Sequence, residues 1–302
     1  MHMIILATFF EISRTAISMC AAGVLLLLVA LWAAKSDIAR ASGLDKIVAL
    51  CNLCFAIPLA VFGAEHLSAA KFIMLAVPSY MPWRLFWAYL VGVALLAASA
   101  SIATKIQVRW SGLLFGIMIF LFEAMVHIPR VLANPKDRIS WVIVLREMSF
   151  AGGGWILAGH AMGAQGKKLI TVGRVLIAIA AIFFGVEHFL HPAGCPGVPL
   201  EKLTPAWIPA RLFIGYLTGA ILLVAGASIL LARKTRMAAT YLGTWILLLV
   251  LFIYGPILIV QLLDPSTAVK VEGINYFADT LLFAGAILAL ASATPRTEQP
   301  TV

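Results

Sequence analysis

The sequence is short of charge. Lys, Arg, Asp and Glu make up 12% of its 302 residues, where an ordinary soluble domain carries about 25%. That scarcity excludes a solvated globular surface, and the 63% of hydrophobic residues, with a mean hydropathy of +1.03, places the chain among membrane proteins. Cysteine is also scarce: four residues, one of them in a loop, do not make a disulfide framework. A basic patch interleaved with aromatics is missing, so the net charge of +9 does not point to nucleic acid. The Lys and Arg residues sit instead in short links between apolar runs, where membrane topology puts them. A short signal-peptide core is missing too. The run from Thr15 to Ala34 behind Arg14 has the roughly 20 residues of a spanning helix, which predicts a retained first helix.

What is present is a motif stated twice. Phe62-Gly63-Ala64-Glu65-His66 returns as Phe184-Gly185-Val186-Glu187-His188, each copy closing a long apolar run. A second block follows each copy. Residues 78–104 and 205–231, at an offset of 127, agree at 14 of 27 positions without a gap. Arg84/Arg211, Tyr89/Tyr216 and Gly92/Gly219 are among the identities. The chain is a tandem duplication.

Nine apolar segments emerge, at about 15–34, 47–66, 84–104, 110–132, 140–163, 170–190, 211–232, 237–262 and 275–293. They predict an all-α, polytopic membrane protein: two parallel four-helix repeats behind one extra helix. The divisions are 1–46 for the N-terminal helix and loop, 47–169 for the first repeat, and 170–302 for the second repeat and a short tail. The two long links, 67–83 and 191–210, follow the Glu-His pairs and are broken by Pro. Twelve Lys and Arg residues fall on the side of Lys35 and Lys105, nine on the side of Lys71 and Lys202. The first side is expected to be cytoplasmic, with the C-terminus, so the Glu-His pairs face out of a cell inner membrane.

Ionisable residues at membrane depth are candidates for function. Arg84 and Arg211 start the helices that follow Glu65 and Glu187, which predicts a Glu–Arg clamp across each Pro-rich turn, with Tyr89 and Tyr216 deeper on the same helices. The competing reading has Glu65, His66, Arg84 and Tyr89, with Glu187, His188, Arg211 and Tyr216 in the second copy, facing a ligand. The first copy adds Glu123 and His127, spaced i,i+4, and the pair Arg146-Glu147. The best-matching second-copy positions hold Val250, Tyr254, Asp279 and Thr280, so the first copy is the more polar. No metal is expected: the spacings depart from the Glu-x-x-His of diiron bundles. His188 and His191 near Cys195 form only a loose ligand-like run, without a counterpart in the first copy. Cys51 and Cys54 form a C-x-x-C inside a helix, where small packing residues and a redox pair are both open readings.

The Phe-Gly-x-Glu-His helix end, the Pro-x-x-x-Pro-x-Arg turn and the Tyr-Leu-x-Gly helix with its Gly226–Ile229 tail resemble the DoxX-like family of bacterial membrane proteins. The family's usual unit is a four-helix bundle, so residues 47–293 look like two units fused. Some members are linked to redox work, as a subunit of thiosulfate:quinone oxidoreductase or as membrane anchors of oxidant-defence enzymes; others act as membrane chaperones. The resemblance implies a redox-associated component of the lipid bilayer, with quinone as its ligand and a membrane or periplasmic redox partner. A small-molecule carrier with its site between the repeats, and a non-catalytic scaffold or chaperone, are the alternatives.

Overall fold

The structure is a computed structural model that describes residues 14–296. Among the described residues, nine helices are long and apolar enough to cross a membrane. They are α1 (Arg14–Arg40), α2 (Asp45–Ser68), α3 (Arg84–Thr104), α4 (Val108–Ala133), α5 (Arg138–Ala161), α6 (Gly163–Leu190), α7 (Arg211–Leu230), α8 (Thr235–Leu262) and α9 (Thr267–Ala293). The chain is a multi-pass, all-α membrane protein with two parallel four-helix repeats.

Each helix from α2 to α9 packs on the next in sequence, and α9 returns to α2, closing a ring. Across the middle, α5 meets α9, so the ring is divided into two chambers with a shared wall. The repeats are therefore not separate bundles, because the first helix of each lies against the fourth helix of the other: α2 on α9, α6 on α5. Helix α1 lies outside the ring on α2, α3 and α9. Large apolar side chains cover the outward faces, among them Leu28 and Trp32 of α1, Val93 of α3, Val224 of α7 and Phe252 of α8. Exposure on that scale suits lipid and not water.

In lipid, helices gain little from burying apolar area, so close backbone approach carries the association. The shared wall shows it. A methyl group on Gly153 of α5 would lie 2.5 Å from the Cβ of Ala286 on α9. The flanking Gly152 faces Gly173 of α6, and Gly285 faces Phe55 of α2.

The offset of 127 recurs in the backbone itself. Among the described residues the non-glycine positive φ angles come in three pairs, each 127 apart: Trp83 and Ala210 (55° and 51°), Lys105 and Ala232 (63° and 54°), Gln107 and Lys234 (57° and 50°). The side chains differ within each pair while the left-handed turn stays, so helix packing and not local residue preference imposes it. Two π-helical turns, Glu123–His127 in α4 and Val250–Tyr254 in α8, show the same offset. Pro129 and Pro256 follow them, each unable to donate to the carbonyl four residues back, and the widened turn accommodates that break.

Candidate functional site

The repeated Glu-His pairs end α2 and α6, as the sequence places them, but their partners differ from the expected clamp. Arg84 donates to the carbonyls of Val77 (2.9 Å) and Leu75 (3.1 Å), and Arg211 to that of Thr204 (3.2 Å). Val77 and Thr204 are again 127 apart. The Pro-broken links curl over the helix starts and leave carbonyls unpaired, which the guanidinium groups satisfy. These arginines pin loops. The ring faces of Tyr89 and Tyr216 turn outward, about half exposed, with Tyr216 against Phe189. His66 bonds through Nδ1 to the Phe62 carbonyl (2.8 Å) and lies against Gly92 of α3. His66, Arg84 and Tyr89 thus face three different surroundings and form no common ligand site.

In the second copy Glu187 pairs with Arg138, which starts α5 of the other repeat, at 2.7 Å. Arg138 also donates to the Pro199 carbonyl (3.2 Å). The 191–210 link enters the second chamber and fills it. Cys195, Pro196, Gly197 and Val198 are buried, and Tyr254 donates to the Pro196 carbonyl (2.9 Å). The Gly197 amide donates to His188 Nε2 (2.9 Å), so Nδ1 carries the proton and donates to the Phe184 carbonyl (2.6 Å). His188 is thereby a fixed support of the plug. The Cys195 thiol is pushed up to about 11 by burial, and His191 lies exposed at the chain's surface.

The first chamber holds polar groups instead of a plug. Arg146 of α5 bonds Asp279 of α9 at 2.6 Å and its neighbour Glu147 at 2.7 Å. Glu65 of α2 accepts from Asn275 of α9 (3.1 Å) and lies within electrostatic reach of Asp279. Glu123, on the π turn of α4, is 0% exposed and lies within reach of Arg146 and Glu147. Neither of its carboxylate oxygens has a hydrogen-bond partner among the described residues, and the same holds for Arg146 Nε and Asn275 Oδ1. His127 stands half-buried at the edge, within reach of Glu147, Arg146 and Arg130. The side chains of Arg146 and Glu147 keep 15% and 17% exposure, while Glu123 is wholly enclosed.

Of the sequence-predicted residues, the structure thus brings together Glu65, Glu123, His127, Arg146 and Glu147. It does not add His66, Arg84, Tyr89, Glu187, His188, Arg211 or Tyr216 to them. Asn275 and Asp279, and the loop-anchoring Arg138, are the members that sequence reasoning missed as site residues. One signal existed: Phe150-Ala151-Gly152 aligns with Phe283-Ala284-Gly285, and the same spacing sets Arg146 against Asp279.

Three carboxyl groups, those of Glu123, Glu147 and Asp279, therefore lie against one guanidinium, with Glu65 beside Asp279. Among the described residues no three His, Cys, Asp or Glu side chains converge closely enough to hold a metal ion. All four cysteines are free, with Cys51 and Cys54 buried in the packing of α2. Comparison with family models, with curated proteins and with solved structures gives no match for this chain.

Proposed function

We propose that the chain is a carrier of small monovalent cations in a bacterial inner membrane, with its solute site in the acidic first chamber and its C-terminus in the cytoplasm. The observation that carries this is Glu123, fully buried and unpartnered beside a guanidinium already shared by two other carboxylates. An unpaired carboxylate at such depth costs several kcal/mol, so it holds either a proton or a positively charged solute. Exchange of one for the other at a single carboxyl couples solute movement to protons. The parallel repeats meet at Arg146 and Asp279 on the shared wall that borders this chamber, the kind of repeat interface at which carriers place their sites. The motifs that resemble the DoxX-like family support a tandem, divergent member of that fold. The quinone-linked reading keeps the family resemblance as its support, while His66, Arg84 and Tyr89 stand in separate surroundings.

Proteoliposomes loaded with a pH-sensitive dye test the proposal, with tetraphenylphosphonium, ethidium and choline as probes. At least one probe is expected to drive proton release with the wild-type protein and none with Glu123→Gln. A Glu123→Gln protein that responds like wild type, or a wild-type protein inert to all three probes, overturns the reading. A quinone that co-purifies in stoichiometric amount and is lost with Glu123→Gln returns the redox reading instead.

A further inference from the structure

At the end of the bundle opposite the Glu-His pairs, a cavity of about 510 Å³ opens among α1, α2, α5, α8, α9 and the turn between α3 and α4. That volume is ample for a small ligand or a headgroup. Four cations line it, Arg40, Lys105, Arg236 and Arg296, against two carboxylates, Asp37 and Asp45. Each carboxylate is shared by two cations: Asp37 by Arg40 (2.8 Å) and Lys105, Asp45 by Arg236 (2.7 Å) and Arg296 (2.5 Å). Two positive charges are therefore uncompensated.

The four cations come from separate segments and are held in place. Arg236 also bonds the carbonyls of Ala291 (2.7 Å) and Thr294 (2.9 Å) at the end of α9, and Arg40 bonds that of Ser36. Those bonds satisfy helix-end carbonyls that would otherwise repel an anion. Lys105 is aimed by the left-handed turn at the end of α3. Arg296 and Arg40 stay 68% and 76% exposed, with donors left over for a ligand. A basic pocket between spanning helices suits the phosphate of a lipid headgroup.

We propose that this cavity is a binding site for a phosphate-type anion, either the headgroup phosphate of an anionic phospholipid or free inorganic phosphate. The site stands at the far end of the bundle from the acidic chamber and does not depend on the chamber's function. Phosphate oxygens bridge the Arg40–Lys105 pair and the Arg236–Arg296 pair and neutralise the surplus charge.

Native mass spectrometry of the delipidated full-length protein, with phosphatidylglycerol, phosphatidylcholine or inorganic phosphate added, tests the assignment. Phosphatidylglycerol or phosphate is expected to bind about tenfold more tightly than phosphatidylcholine, and Lys105→Gln with Arg296→Gln is expected to remove that preference. Both side chains lie at the rim, so the thermal midpoint in phosphatidylcholine should match wild type; if it falls, Arg40→Gln alone repeats the measurement. Phosphatidylglycerol retained against excess phosphate identifies the lipid as the source, and displacement by phosphate identifies the free anion. Equal binding of both lipids with no phosphate effect overturns the site, as does a preference untouched by the substitutions.

Discussion

Arg146 and Asp279 occupy equivalent positions in the fourth helices of the two repeats, and their side chains meet at 2.6 Å across the shared wall. Duplication placed the same position on both sides of the shared wall, and opposite charges there turn a repulsive pair into a bond. Removing the cation alone leaves Asp279, Glu147 and Glu123 without compensation. Arg146→Leu is expected to cost about 3–5 kcal/mol, seen as loss of folded protein in detergent chromatography. The exchange Arg146→Asp with Asp279→Arg should restore the bond across the wall and part of the folded yield, the remainder being lost because Glu147 and Glu123 lie beside position 146 only. A double variant as poor as Arg146→Leu would count against this symmetry argument.

The repeat, the nine spans and the Glu-His helix ends were legible because each is written in neighbouring residues or in a fixed offset. The partners were not. Nothing in the residue types of 75–77 announces that their carbonyls will face Arg84, since every residue carries a carbonyl. Glu65 and Asn275 are 210 residues apart, and only the packing of α9 on α2 brings them together. The π turns were signalled by Pro129 and Pro256, a repeated proline inside two apolar runs, but proline alone does not separate a π turn from a kink.

The close wall between α5 and α9 predicts a steep size dependence. Gly153→Ala places a methyl 2.5 Å from Ala286 Cβ and 2.7 Å from the Phe55 ring, and the helices must separate to admit it. A loss of about 1–3 kcal/mol is expected from such overpacking, read as a lowered thermal midpoint. Gly255→Ala is the control, since the nearest atom to its new methyl would be 3.5 Å away. Equal effects at both positions would show that helix propensity and not contact dominates.

Arg138 joins α5 to Glu187 and to the Pro199 carbonyl, so it ties the plug of the second chamber to both repeats. Glu187 keeps 8% exposure and Arg138 30%, which makes the pair part-buried. Arg138→Ala is expected to cost about 1–3 kcal/mol and to loosen the 191–204 segment. Proteolysis within that segment, faster in the variant than in wild type, is the direct reading. Unchanged cleavage would mean that His188 and Tyr254 hold the plug without it.

The plug also makes the chemistry of Cys195 dependent on pH. Burial pushes its thiol up to about 11, with Lys202 and Thr204 opposing that effect, while an unfolded thiol titrates near about 8.5. The raised value means that the folded state keeps its proton more tightly. The associated stability is complete below about pH 8.5 and is lost as pH rises towards the folded value. The thiolate is the reactive species, so alkylation at neutral pH should be slow and should climb about tenfold per pH unit over that range. In a Cys20→Ala background, where the remaining thiols are buried in α2, mass-resolved iodoacetamide labelling at pH 7.5 and 9.5 measures the slope. Adding His188→Ala removes the acceptor of the Gly197 amide, and labelling of Cys195 should then speed up at pH 7.5. Labelling in the unmodified plug that is already fast at pH 7.5 and levels off above about pH 8.5, as for a free thiol, would show that Cys195 is open to water and that the second chamber is not sealed.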